Sequence, residues 1–278
     1  MKTWIASALV GALAAALAAA MPAEAQDYPN RPIRLVTFGT PGTTSDVVTR
    51  TVGKRLSERL GQPVVVDNKP GADGVIAASD VAKAAPDGYT LFFASNTPVA
   101  AAPALRKSLP YDPMKDLTPI TMMGYFTFFL YVNPAVPAKT LAELIAYAKA
   151  NPGKLSYGSG NATGSVGGAQ IAALSGVDMV HVPYKGEPQA LVDLLMGRID
   201  LMIATPTTGL SHTKEGKLRA LATTLKERSP MLPDVPTIYE AGLPQFTITS
   251  WGGMFGPAKM PKEIVARLNK ELAEVMKD

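Results

Sequence analysis

Two stretches of the chain carry residues whose types and spacing could hold a small anion. The first is Gly42-Thr43-Thr44-Ser45-Asp46, which follows the apolar run Ile33 to Phe38 and precedes Val47, Val48, Val52, Leu56 and Leu60. Pro41-Gly42 stops the run, the Thr, Ser and Asp side chains are those that begin helices, and the apolar residues then recur about once per helical turn. Free N–H groups at such a helix start, with the positive end of its dipole, suit a carboxylate without any cationic side chain. Taken alone, residues of this kind more often satisfy the helix's own N–H groups. The second stretch, Ser159-Gly160-Asn161-Ala162-Thr163-Gly164-Ser165, has the same placement between a strand and an apolar helix and changes that balance. Two such loops suggest two jaws.

Other chemistries find little to stand on. The sequence contains no Gly-x-Ser-x-Gly elbow, no phosphate-binding Gly-Lys-Ser/Thr loop, no His-Glu-x-x-His and no cysteine. Ser211-His212-Thr213-Lys214 matches Ser-x-x-Lys, but without its partner motifs it reads as a solvated helix end. The two histidines, His181 and His212, are too few for a metal cluster and read as structural. No catalytic residue, metal or cofactor is expected, and a periplasmic hydrolase stands only as a remote rival.

The elements that must position the two loops follow from the pattern of apolar runs. Ile33 to Phe38, Pro63 to Asp67 and Thr90 to Ala94 read as strands separated by helices, which implies βαβ units and a mostly parallel sheet covered on both faces. Ligands of such sheets sit beyond the carboxyl ends of the strands, so Ser95-Asn96-Thr97 joins the first loop on one rim, with Asn96 as a further binding residue. Met122 to Val132, rich in aromatic residues, is expected to form one buried strand, its rings serving the core in preference to a cleft wall. The pattern restarts after Pro134. Thr140-x-x-Glu143 opens a helix as a capping box, Leu155 to Gly158 leads into the second loop, and Val166 to Leu174 forms its helix, closed at Gly176. Val180 to Tyr184 and Ile199 to Ala204 are strands on either side of a helix from Pro188 to Met196. Thr205-Pro206-Thr207-Thr208-Gly209 is a third loop at a strand end, with Thr205 as its binding residue. Thr237-x-x-Glu240 is a second capping box before a short helix, and Thr247 to Phe255 returns the chain to its first half. The last helix, from Pro261, meets no Gly or Pro before Asp278, so the natural terminus is left open.

With 278 residues, 47% hydrophobic and 18% charged, the chain is large enough for two packed lobes. Residues 1–25 stand apart: Lys2, an apolar stretch to Ala20 and Ala23-Glu24-Ala25 form a cleavable signal peptide, so a periplasmic chain beginning at Gln26 is expected. Without cysteine there is neither a lipid-attachment site nor a disulfide. The net charge of +4 is modest and the basic residues are dispersed, which argues against a nucleic-acid partner. Residues 26–124 with 248–278 should make lobe 1, and residues 125–247 lobe 2.

Read together, Tyr28-Pro29-Asn30-Arg31-Pro32-Ile33, Pro41-Gly42 with Asp46, Leu60 to Ala72, Ala85-Pro86-Asp87-Gly88-Tyr89-Thr90-Leu91, Asn151 to Ser159, His181 to Gly186 and Gly216 to Ala222 resemble the Bug-type periplasmic solute receptors of tripartite tricarboxylate transporters. The resemblance spans the whole chain after the signal peptide. It implies a two-lobed α/β periplasmic binding protein, type II-like, each lobe a mostly parallel sheet flanked by helices, with the ligand cleft between the lobes. It also implies that the two loops close as a pincer on a small carboxylate, and that the receptor works as a monomer with a membrane permease. A sensor kinase reading the same closure is the rival partner. Thr40 and Thr43 replace a proline and a glycine common in the family, and Gly168 replaces a histidine. A ligand with two carboxylates could tie both lobes together, one helix start to each.

Overall fold

The computed structural model describes residues 28–277; the signal peptide and the expected start at Gln26 lie outside the described residues. In the first half, β1 (Ile33–Thr37) leads to α1 (Thr44–Leu60), β2 (Val64–Asn68), α2 (Val75–Ala82), β3 (Thr90–Ser95), the short α3 (Ala102–Leu105) and β4 (Leu117–Phe126). The second half runs β5 (Phe129–Val132), α4 (Leu141–Ala150), β6 (Ser156–Ser159), α5 (Ala162–Ser175), β7 (Val180–Pro183), α6 (Glu187–Leu195), β8 (Leu201–Ala204), α7 (Pro206–Lys214) and β9 (Arg219–Thr223). The chain then returns through β10 (Ser250–Pro257) and ends in α8 (Lys262–Val275).

The strands form two sheets of equal plan, β2-β1-β3-β10-β4 and β7-β6-β8-β5-β9. The three strands at the start of each order pair in parallel, whereas β10 and β5, fourth in their sheets, run against both neighbours. Each of these two is the first strand after a crossing from the other sheet. It enters at the rim where the parallel strands end, and so must run away from that rim.

Both faces of each sheet are covered, so the strands are apolar on both sides, as buried parallel strands are. Ile33, Leu35, Leu91 and Phe93 face Val52, Leu56, Leu268 and Leu272 of α1 and α8, while Val36, Phe92 and Ala94 face Ala77, Ala78 and Val81 of α2. The second sheet repeats the scheme. Leu130, Leu201 and Ile203 pack on α4 and α5 through Leu141, Leu144 and Ile171, and Phe129, Met202 and Ala204 pack on α6 through Ala190 and Leu194. At the end of α1, Gly61 adopts φ 67° and returns its N–H to the Ser57 carbonyl, the left-handed stop that glycine supplies without a Cβ clash.

Three local expectations are corrected. Met122 to Val132 is not one buried strand: it is the end of β4, a crossing at Thr127-Phe128, and β5. As an edge strand β4 leaves Met122 and Tyr125 exposed at 49% and 70%, and only from Phe128 on does burial become continuous. The stretch from Pro206 to Gly209 is not a loop. It is the first turn of α7, with proline early in the helix and Thr205 at the N-cap. The capping box at Thr237 forms in full, Glu240 N–H to Thr237 Oγ1 at 3.1 Å and Thr237 N–H to Glu240 Oε2 at 2.8 Å, yet it opens only a single turn. Gly242 and Pro244 follow too closely for a helix to propagate.

Candidate functional site: a cleft at four helix starts

The strand ends of both sheets face a cleft, and four helices begin there: α1 from the first sheet, and α5, α6 and α7 from the second. Its central chamber has a volume of about 80 Å³ and is lined by Thr43, Thr44, Ser45, Gly160, Asn161, Thr163 and Thr205 among the residues singled out from sequence. It widens into a mouth of about 690 Å³ between Pro70–Gly74 and Pro183–Lys185. So small a chamber suits a small acid and not a drug-sized ligand.

The first loop is shaped by what glycine permits. A Cβ on Gly39 would lie 2.0 Å from Ser45 Oγ and 2.5 Å from Thr43 Oγ1, so only glycine lets the loop fold onto the start of α1. Asp46 does not face the cleft. It is 4% exposed and turned inward, accepting hydrogen bonds from Gly42 N–H (3.0 Å), Asn68 Nδ2 (2.8 Å) and Arg50 Nε (3.0 Å). Burial pushes its pKa up, but these three donors outweigh burial and hold it below the usual aspartate value. Asn68 also donates to the Gly39 carbonyl at 3.0 Å, so Asp46 and Asn68 together fix the loop from behind.

Thr43 occupies the N-cap position of α1, yet its hydroxyl does not cap the helix. It donates to the Thr40 carbonyl at 2.7 Å and lies 3.1 Å from Ser45 Oγ. The first turn of α1 therefore presents N–H groups that no N-cap side chain has claimed, which is the arrangement that binds anions. In the second loop the cap is made: Asn161 Oδ1 accepts from Gly164 N–H at 2.9 Å. Ser159 points away from the chamber, its hydroxyl 2.7 Å from His181 Nε2, and that imidazole stacks on Tyr157 with centroids 4.8 Å apart. Desolvation lowers the His181 pKa. Gly164 packs on β8, where a Cβ would meet the Ile203 carbonyl at 2.8 Å, and Ser165 continues the helix beyond the chamber.

Among the described residues the lobes approach one another closely at three points. Thr44 Oγ1 and Thr207 Oγ1 lie 2.5 Å apart, Asn96 Nδ2 donates to Thr163 Oγ1 at 3.3 Å, and a Cβ on Gly186 would lie 2.8 Å from Thr40 Oγ1. Asn96 thus lies between the lobes and not on the chamber wall; its Oδ1 accepts from Ser250 Oγ at 2.7 Å.

Other residues complete the lining. Ser95 and Thr97, on the rim where the strand-end rule puts them, supply hydroxyls, as does Ser250, which the sequence reading did not single out; Phe38, Phe126 and Phe128 supply apolar wall, so two rings expected to serve the core also face the cleft. The largest omission is the start of α6, where Lys185, Gly186 and Glu187 line the chamber. Glu187 is 3% exposed. Its Oε1 accepts from Asn161 Nδ2 at 2.7 Å; its Oε2 accepts from Thr205 N–H at 3.1 Å and from the Thr205 and Thr208 hydroxyls, both at 2.6 Å. The rule that strand ends face the ligand, applied to β7 as it was to β1 and β3, would have reached these residues.

Known proteins are similar to this chain in sequence and fold. The model of the tripartite tricarboxylate transporter family receptor, TctC, matches residues 48–278. The protein BugT of Bordetella pertussis is 37% identical over 275 residues, covering 97% of this chain and 83% of its own. Among solved structures, R. palustris Rpa4515 with adipate superposes with a TM-score of 0.85 at 37% identity, covering 89% of this chain and 83% of that one. MatC from Rhodopseudomonas palustris with bound malate gives 0.84 at 33% identity, covering 90% and 86%. A two-lobed α/β fold with its cleft at helix starts, matched over most of its length by these relatives, places the chain in the tripartite tricarboxylate transporter receptor family, periplasmic solute-binding proteins.

Proposed function

We propose that the protein captures a small organic carboxylate in the periplasm by closing its lobes over it, and that the closed form delivers the ligand to a membrane permease of the tripartite tricarboxylate type. The observation that carries this is the start of α1. Its first-turn N–H groups have no N-cap acceptor and face the second lobe's helix starts across a chamber of about 80 Å³. Thr43, Thr44 and Ser45 hold the carboxylate from lobe 1, and Gly160, Asn161, Thr163 and Thr205 close from lobe 2, with Gly42, Asp46, Asn96, Ser159, Gly164 and Ser165 shaping the jaws. That Rpa4515 and MatC are solved with adipate and malate supports a carboxylate ligand. Residues 1–25 act as the export signal. Residues 26–124 with 248–278 form lobe 1 and residues 125–247 lobe 2; the pairing of β4 with β10 as far as Phe126 and Ser250 supports crossings close to those positions.

The same closure could inform a sensor kinase instead of a permease; no residue of the cleft favours that reading. The test is a thermal-shift screen of residues 26–278 against small carboxylates and their amides. At about 100 times its dissociation constant a true ligand adds about 2.7 kcal/mol, a rise of about 5–10 °C for a chain of this size. A rise with an acid and none with its amide is expected, and Thr44→Leu, which fills the chamber, should remove it while leaving the unliganded melting temperature near that of the wild type. Equal shifts with acids and amides would count against carboxylate recognition.

A further inference from the structure

Each helix start facing the cleft is a source of positive potential, and what already occupies each one determines what a ligand finds there. In lobe 2 the Glu187 carboxylate lies among all three, although only α5 has a side-chain cap; the N-cap residues Gly186 and Thr205 of α6 and α7 make none. Asn161 caps α5 and donates its Nδ2 to Glu187; Glu187 is itself the first residue of α6; and its Oε2 takes the Thr205 N–H at the start of α7 together with the hydroxyls of Thr205 and Thr208. In lobe 1 the start of α1 carries no N-cap side-chain bond, since the Thr43 hydroxyl is spent on the Thr40 carbonyl. The jaws differ in the carboxylate they show the chamber: Asp46 in the first turn of α1 is turned away onto Gly42, Arg50 and Asn68, whereas Glu187 lines the wall, so lobe 1 offers donors and lobe 2 a carboxylate.

Building on the receptor function proposed above, we infer that Glu187 is the residue that sets ligand class, and that the cleft takes an amino carboxylate in preference to a dicarboxylate. The ligand's carboxylate lies at the start of α1, and its ammonium group, or another cationic donor, meets Glu187. Oε1 of Glu187 accepts one protein donor, which leaves it capacity for a second. The other ionisable side chain on the chamber wall is Lys185, but it is exposed and shared with the mouth, where solvent screens it. Glu187 is almost fully buried, so its charge acts through a low dielectric and dominates inside the chamber. A second ligand carboxylate placed against it would meet a like charge with no buried cation between them. The expectation of one carboxylate for each lobe is thereby replaced by a carboxylate for lobe 1 and a donor for lobe 2.

The experiment is calorimetric titration of the protein with three series of equal backbone length, from two to six carbons: ω-amino carboxylates with the common α-amino acids, dicarboxylates, and plain monocarboxylates. At the best-fitting length the amino carboxylate should bind about tenfold or more tightly than either counterpart, as a charge-assisted hydrogen bond to a buried carboxylate implies. Glu187→Gln keeps the shape of the side chain and removes its charge. It should bring the preference over the dicarboxylate below about twofold while raising dicarboxylate affinity. Should that variant fail to fold, the wild-type ranking decides alone. A dicarboxylate binding most tightly to the wild type would overturn the role of Glu187 and leave carboxylate capture standing. Failure of every acid in all three series to bind would overturn carboxylate capture and this inference with it.

Discussion

At the level of single residues, the cleft depends as much on side chains that face away from it as on those that line it. Asp46 was expected to touch the ligand because Thr, Ser and Asp cluster at the helix start. Residue type was legible there, but not side-chain direction, which is decided by the partners Asn68 and Arg50 contributed by β2 and the next turn of α1. Its effect on pH stability has a definite sign. A folded-state pKa held below the ordinary aspartate value of 3.8 means that the stabilisation is present above that value and is lost as pH falls through the lower, folded one. Asp46→Asn should lower stability at neutral pH by about 1–3 kcal/mol, the cost of leaving buried donors poorly matched. The melting-temperature gap between wild type and variant should narrow as pH drops below about 4, where the wild type also loses the charge. A gap that stays constant from pH 7 to pH 3 would show that the carboxylate charge is not what holds the loop.

At the level of elements, the strands and most helices were readable because local signals and tertiary context agree. Thr140 caps α4 as its spacing implies, with Glu143 N–H donating to Thr140 Oγ1 at 3.1 Å, and Gly176 ends α5 in the left-handed conformation. The same spacing at Thr237 gave one turn only, since a cap begins a helix and cannot extend it past nearby Gly and Pro. Close approaches between elements were not legible, because they depend on which loops the fold brings together. Gly160 is the sharpest case: a Cβ there would lie 2.1 Å from the backbone nitrogen of Glu187 and 2.3 Å from the Gly186 carbonyl carbon. Backbone cannot swing aside as a flexible side chain does. Gly160→Ala should therefore push the start of α6 away from the second loop and destabilise the protein by about 1–3 kcal/mol. It should also weaken ligand binding more than Gly176→Ala does, because Gly176 lies at the far end of α5 with nothing within 4 Å of its Cβ position. Both variants lose stability, the latter through its φ of 62°, so affinity is the discriminating measurement. Equal affinity losses would remove the Gly160–Glu187 contact from the binding geometry.

For the whole molecule, the likeness of the two sheets follows from a chain that crosses twice between them. The sequence signal for the first crossing was masked by hydrophobicity, since Phe126, Phe128 and Phe129 read alike although the first two line the cleft and Phe129 lies in the core of lobe 2. The crossings lie side by side, because Phe126 at the end of β4 pairs with Ser250 at the start of β10. Rotation of one lobe on the other must therefore be absorbed at Thr127 and just before Ser250, the pattern of a hinge in which a few terminal residues take up the dihedral change. Trp251 is next to that point, half-buried, with its ring 6.3 Å from Phe255 and its backbone paired with Tyr125. In a chain beginning at Gln26 it is the sole tryptophan, Trp4 being the other in the sequence. Ligand should change Trp251 fluorescence saturably, with the dissociation constant found by calorimetry, and should reduce the radius of gyration measured by small-angle scattering. Asn96→Ala cuts the bridge from Ser250 through Asn96 to Thr163, which links the hinge to the opposite jaw. Only the Asn96–Thr163 bond spans the two lobes, and one ordinary hydrogen bond at about 0.5–1.5 kcal/mol sets an affinity loss of roughly 2- to 13-fold, with the fluorescence change at saturation preserved. If ligand binds calorimetrically while both fluorescence and radius of gyration stay fixed, the cleft binds without lobe movement, and closure cannot be what a membrane partner reads.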